Sequence, residues 1–224
     1  KKETKKILFI EKQGFEMLLR GESIEKVKEK IDFIKESAEK PWKVMNTPRV
    51  GLSRWDAHPH DNFFHFGEVF FKDNSGLFFL THFNDSSLEK EFTTTLRLLG
   101  DEGIGGDRTV GKGLFCLEED EMEIKIPESK AALTLSLYFP QENELSDIKN
   151  GFYEILERRG YIYSPFNRSL RKKTVRMFKE GSVFPNKKIG KVADVTPEIF
   201  TQHRVYRYGL AFNVPCVLEV NNEN

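Results

Sequence analysis

The sequence predicts an α+β chain whose carboxy-terminal half runs in a ferredoxin-like order of strands and helices. Two observations carry that expectation. Residues 131–139 alternate, with Leu133, Leu135, Leu137 and Phe139 on one side and Thr134, Ser136 and Tyr138 on the other, which is the two-residue period of a strand. Leu145, Ile148, Phe152 and Ile155 then recur at helical spacing until Gly160. Strands at 161–163, 174–178 and 205–214 complete the order strand, helix, two strands and a late strand, with the second helix shortened.

The amino-terminal elements follow in turn. Ile7-Leu8-Phe9-Ile10 reads as a short strand, and Phe15, Leu18 and Leu19 as a helical turn closed by Gly21. Ile24, Val27, Ile31, Ile34 and Ala38 recur every three or four residues and predict a helix that Pro41 stops. Residues 47–52 read as extended, and 53–64 as a polar, aromatic-rich loop. A hairpin is expected with strands at 67–72 and 77–83 around Asp73-Asn74-Ser75-Gly76. Ser86 and Glu89 form a capping box for a helix with Leu88, Phe92, Leu96 and Leu99 on one face, ending at Gly100. A glycine-rich loop and a strand at 114–117 come next. A change of composition near Pro127 divides the chain into 1–128 and 129–224.

Among 224 residues, 35 Lys+Arg balance 35 Asp+Glu, which excludes a globally basic nucleic-acid coat and a strongly acidic disordered chain. Twenty Phe provide apolar mass for a core. Cys116 and Cys216 stand apart with no zinc or disulfide spacing, so a reducing, cytoplasmic setting without metal or cofactor is expected. No apolar run approaches the ~20 residues of a membrane span, and the opening Lys-Lys-Glu-Thr is unlike a signal peptide. The charge is balanced in sum but not in place. Residues 168–191 hold nine bases and one acid, whereas 85–128 hold twelve acids and five bases. Either these are solvated faces, or they are separate surfaces for a polyanion and for a basic partner.

Four stretches carry the chemistry. Residues 100–113 contain six glycines, so successive backbone N–H groups can turn into one concavity and hold a phosphate. Gly105, Gly106 and Gly111 supply the backbone there, and Arg108, Thr109 and Lys112 add charge and a hydroxyl. The loop follows a helix and lacks Gly-Lys-Ser/Thr, so it is neither a Walker loop nor a dinucleotide fingerprint. Upstream, Arg49, Arg54 and Trp55 could clamp a splayed base, while a half-buried structural Trp is the plain alternative. His58 and His60 could serve as a metal pair with His65 or Asp61 as third ligand, though the spacing matches no known metal motif, or as acid and base, or all could simply be surface histidines. In 168–184, Lys172, Thr174 and Arg176 share one strand face and Lys173 lies on the other; with Arg171 they suit a phosphate backbone. Finally, Tyr206 and Tyr208 flank Arg207, a composition suited to bases and phosphates, although terminal strands also use Tyr for packing.

Together these motifs resemble the RAMP superfamily of CRISPR-associated RNA-binding proteins. The glycine-rich loop at 103–113 carries the superfamily pattern, Gly-hydrophobic-Gly, a polar run, then Gly-x-Gly. Arg171-Lys172-Lys173, the stretch Phe178-Lys179-Glu180-Gly181-Ser182-Val183-Phe184, and Val205-Tyr206-Arg207-Tyr208-Gly209 resemble the fourth subunit of the type III-A (Csm) effector complex. That resemblance implies two ferredoxin-like (RRM-like) domains with a β-hairpin thumb, the first lacking its opening strand and helix. It implies a subunit that holds the 5′ handle of crRNA without cutting it, with phosphates on the 105–112 backbone and on Arg49, Lys172 and Arg176. The thumb, placed at 66–83, would meet the repeated RAMP backbone subunit. An acidic face at 118–123 would meet the large palm-domain (cyclase/DNase) subunit. The competing readings are a RAMP endoribonuclease using a His in 58–65 and a plain protein-interaction module.

Overall fold

A computed structural model describes residues 7–31, 33–35, 40–58, 62–167 and 169–218. In chain order the elements are β1 (Ile7–Ile10), α1 (Lys12–Leu19), α2 (Ile24–Lys30), β2 (Phe33–Lys35), β3 (Trp42–Val50), β4 (Phe63–Phe71) and α3 (Glu89–Glu102). Then come β5 (Ala132–Thr134), β6 (Ile155–Arg158), β7 (Val175–Phe178), β8 (Val183–Phe184), β9 (Ala193–Asp194), β10 (Tyr206–Arg207) and β11 (Asn213–Pro215). The α+β class is observed, with strands gathered in sheets of two and three rather than one four-stranded sheet among the described residues. The chain forms two compact units, one of Lys1–Lys35 with Ile124–Asn224 and one of Glu36–Glu123. The amino-terminal segment thus groups with the carboxy-terminal region. Among the described residues no helix is long and apolar enough to cross a membrane.

In the discontinuous unit, α1 supplies the reason for that grouping. Leu19 is buried with Ala131, Val214 and Cys216, and Phe15 packs against the same cluster. The Val217 N–H donates to the Leu19 carbonyl at 2.8 Å, and the Lys125 N–H donates to the buried Glu16 carboxylate at 3.0 Å. Strands β11, β5 and β8 form an antiparallel sheet in which Leu133 faces both Val214 and Val183. A second pair, β6 and β7, sets Leu156 against Met177, and β9 pairs with β10. Tyr138, Ile148, Phe178 and Phe184 form one further cluster, and Val175, Met177, Ala193 and Val195 another.

Several local expectations change. Helix α2 stops at Lys30, and Ile31 is already extended. The run Ile31, Phe33, Ile34 favours a strand, and β2 pairs with β1; Ala38 lies outside the described residues. The helix expected at 145–155 is a 3-10 turn over Glu142–Asn150, after which Phe152 bridges Val183 and Ile155 enters β6. Of the strand expected at 131–139 only Ala132–Thr134 forms, with a bridge from Tyr138 to Phe178; Thr134 and Tyr138 are buried while Leu133, Leu135, Leu137 and Phe139 are half-buried, so both sides are covered. Residues 205–214 split into β10 and β11, and 161–163 contribute only a bridge from Tyr161 to Arg171.

In the unit of Glu36–Glu123 the hairpin is β3 with β4, nine pairs from Trp42↔Phe71 to Val50↔Phe63. Pro48 hides the β3 pattern in the sequence, and a two-stranded ribbon tolerates it because one edge needs no donor. Residues 77–83 are not a strand, so the hairpin expected at 66–83 is instead formed by 42–50 and 63–71. Nor is there a strand at 114–117. Asp85, not Ser86, accepts the capping N–H, from Ser87, and α3 runs past Gly100 to Glu102.

Glu144 ties the 3-10 turn to the core of the discontinuous unit. Burial would raise its pKa, but the N–H groups of Gln141, Ile189 and Gly190 hold its carboxyl below the ordinary value of 4.5. Its charge in turn adds to burial in pushing the Tyr138 phenol upward. Because the folded carboxyl titrates lower than the unfolded one, its stabilisation is complete above about pH 5 and is lost as pH falls through the folded value. Glu144→Gln is expected to lower stability by about 1.5–3 kcal/mol at pH 7 and to flatten the acid slope. Urea melts of both forms at pH 7 and pH 4 check this.

Candidate nucleic-acid interface

In the hairpin, register puts Met45, Thr47 and Arg49 on one face with Phe64, Phe66 and Glu68. The glycine-rich loop rests on that face. Its backbone closes on itself: the Ile104 N–H donates to the Gly113 carbonyl at 2.9 Å, and the Val110 and Lys112 N–H groups donate to the Asp107 carbonyl at 3.1 and 3.2 Å. Asp107 adopts the left-handed conformation at φ 58°, which Asn and Asp tolerate better than other side chains. Gly106 lies against the Phe66 ring. Among the described residues the N–H groups of Gly105 and Gly106 have no backbone partner.

The cations of the loop and of the hairpin face beneath it make ion pairs within the chain. Arg49 donates to the Asp107 carboxylate and, at 3.2 Å, to Glu68, while its guanidinium lies 4.6 Å from the Phe66 ring centre. Lys112 sits 3.0 Å from the same Glu68 carboxylate, and the Thr47 hydroxyl donates to it at 2.8 Å. The Thr47 and Lys112 contacts hold the Glu68 carboxyl below its ordinary value. Arg108 turns back to the Gly103 carbonyl at 3.5 Å and to Glu102 at 3.9 Å. Thr109 is exposed on the short 3-10 turn Arg108–Val110, with Gly111 just after it. Glu68 and Asp107 were not singled out from sequence; the one available signal was the acid facing Met45 and flanked by Thr47 and Arg49 once register is known.

At the hairpin tip, Arg54 is exposed and Trp55 is 98% exposed, which removes the half-buried alternative for this Trp. The tip is held by Ser53 and His58, which exchange a backbone bond of 3.0 Å, and by Asp56, which accepts the His58 N–H. His65 lies on β4 edge-on to Phe63, and His60 lies outside the described residues.

The other predicted residues belong to the discontinuous unit. The Lys172 N–H donates to the Gly160 carbonyl at 2.8 Å and the Lys173 N–H to Val195 at 2.9 Å, which lays this segment between the end of β6 and the start of the β9–β10 pair. Arg207 sits on β10 opposite Ala193. Burial, then the charge of Arg207, depresses Lys172; burial, then the charge of Arg158, depresses Arg207. Arg158, Lys172 and Arg207 thus form a chain of like charges, and among the described residues none makes an ion pair. Their neighbours differ: Arg176 is 3.8 Å from Glu157, Lys173 3.9 Å from Glu198, and Arg171 lies 5.5 Å from the Tyr161 ring centre. Tyr206 and Tyr208 are exposed on either side of the half-buried Arg207. Arg158 was missed because 145–155 read as a helix running to Gly160. Arg168 lies outside the described residues.

Gly113 has φ 77°, and an added Cβ would overlap the Ile104 carbonyl oxygen; Gly111 has φ 78° but open space. Both Gly→Ala variants should lose about 1–2 kcal/mol from the left-handed backbone. Gly113→Ala should lose more and speed amide exchange across 103–113, whereas Gly111→Ala should leave that exchange near wild type.

Residues 127–216 match the family model for the CRISPR Csm4 C-terminal domain. The chain is 29% identical over 211 residues to the CRISPR system Cms protein Csm4 of Thermococcus onnurineus, covering 94% of this chain and 64% of that protein. It is 31% identical over 139 residues to the Csm4 protein of Methanocaldococcus jannaschii, covering 56% of this chain and 36% of that one. The chain therefore spans just under two thirds of the length of the first of these relatives. In fold it resembles the crystal structure of a Csm1-Csm4 cassette in complex with cA4, with a TM-score of 0.60 at 23% identity, over 98% of this chain and 65% of that one. It also resembles a Csm3-Csm4 subcomplex in the type III-A CRISPR-Cas interference complex, with a TM-score of 0.51 at 19% identity, over 88% and 61% of the two chains. The resemblance is thus to Csm4 proteins along nearly the whole chain.

Proposed function

We propose that this chain is a non-catalytic, RNA-holding subunit of a type III-A CRISPR (Csm) effector complex in the cytoplasm, gripping the repeat-derived 5′ handle of crRNA. The observation that carries the reading is the approach of Arg158 to Arg207 and of Arg207 to Lys172, half-buried or exposed cations without an ion pair among the described residues, beside exposed Tyr206 and Tyr208. Like charges brought together on strand ends are costly unless a polyanion neutralises them, and RNA offers phosphates for the cations and bases for the rings. The 98% exposed Trp55 beside Arg54 offers a second stacking surface, in the other unit.

The partners follow from the relatives: a large palm-domain subunit and a repeated RAMP backbone subunit, as in the Csm1-Csm4 and Csm3-Csm4 structures. The acidic residues 118–123 suit a basic surface on the large subunit. The second hairpin face, with Val44, Val50, Phe63, Val69 and Phe71 exposed, suits an apolar surface on the backbone subunit.

Binding of labelled handle RNA, measured against salt, tests the reading. Arg158→Ala, Lys172→Ala and Arg207→Ala should each weaken binding and flatten the log–log salt slope by about 0.7. Lys179→Ala, whose side chain pairs with Glu154, should change it less. The bound RNA should be recovered uncut. Unchanged affinity in all three variants, or cleaved RNA, would contradict the proposal.

A further inference from the structure

The glycine-rich loop and the hairpin face beneath it join Lys112 and Arg49 to two carboxylates in a charge-neutral set. Arg49 and Lys112 share the Glu68 carboxylate, Arg49 also engages Asp107, and Thr47 fixes Glu68 from the third side. Glu68 is mostly covered, with its side chain 12% exposed, but Lys112 keeps 46% and Arg49 29%. The cations are therefore within reach of solvent while the central anion is not. Partly exposed ion pairs of this kind are weak and exchangeable. An incoming phosphate finds Arg49 and Lys112 already matched and meets two carboxylates of its own sign. It also finds the N–H groups of Gly105 and Gly106 at the rim without backbone partners among the described residues.

We propose that Glu68 and Asp107 are resident counter-anions of the loop, and that RNA is held there by exchange of phosphate for carboxylate on Arg49 and Lys112. This rests on the RNA-holding reading above and adds to it a control on affinity. Arg49 and Lys112 contribute less than two open cations would, because each phosphate contact requires an internal ion pair to open. The two acids thereby disfavour loosely bound polyanions, which offer single phosphates without a ligand for the Gly105 and Gly106 N–H groups.

The test uses Glu68→Gln and Asp107→Asn, with handle RNA and polyuridylate as probes. Gln keeps the oxygen that accepts from Thr47, and Asn tolerates the left-handed backbone of residue 107. Each variant should bind handle RNA about three- to tenfold more tightly at about 50 mM salt, with a log–log slope steeper by about 0.7, and should gain at least as much for polyuridylate. Adding Lys112→Met to Glu68→Gln should cancel the gain. Glu119→Gln controls for net charge, since it releases Arg97 elsewhere in the same unit and should add little. Affinity that is unchanged or lower in both variants, or raised equally by Glu119→Gln, overturns the exchange while wild-type binding upholds the RNA-holding reading. A wild-type chain and variants that all fail to bind RNA overturn both.

Discussion

A cation drawn away from water must be matched by an anion, and the two compact units meet that requirement in opposite ways. In the unit of Glu36–Glu123 the match is internal: Glu68 and Asp107 satisfy Arg49 and Lys112, and the same contacts fasten the glycine-rich loop to the hairpin. In the discontinuous unit, Arg158, Lys172 and Arg207 press on one another, and no acid among the described residues answers them. Neighbouring bases that do find acids, Arg176 with Glu157 and Arg204 with Asp194, show that the shortage is local. Under the proposed RNA-holding function, a phosphate backbone would supply the missing sign of charge.

The hairpin unit depends on this internal match for another reason. None of its described apolar side chains is among the buried ones, and both faces of the β3–β4 ribbon carry exposed Phe or Val. A two-stranded ribbon is marginal in water by itself. What orders it is therefore polar: the Glu68 set on one face, the self-closed loop, and the bonds that fold the tip around Ser53 and His58. The discontinuous unit is the reverse, with small apolar clusters at its centre and cations at its strand ends.

Legibility in the sequence followed the range of the forces involved. The strand at 132–134 and the glycine-rich loop were readable because each is a local pattern. The pairing of β3 with β4 was not, since Pro48 interrupts the β3 signal and the nearer turn at Asp73-Asn74-Ser75-Gly76 competes for the partner. The helix expected through Ile34 failed because a strand partner, β1, outweighs a periodic stripe. Lys172 and Arg207 were named from composition, but Arg158 joins them only through the β6–β7 register, and Glu68 reaches Arg49 only across the hairpin. Charge relations between distant positions are what composition cannot supply.

The most direct test of the central claim is to crosslink crRNA carrying photoreactive bases in its 5′ handle within the assembled complex and to map the adducts by mass spectrometry. The account predicts adducts on peptides containing residues 158–176 and 206–208. Adducts confined to α1, α2 and the 142–150 turn, with none on those peptides, would contradict it.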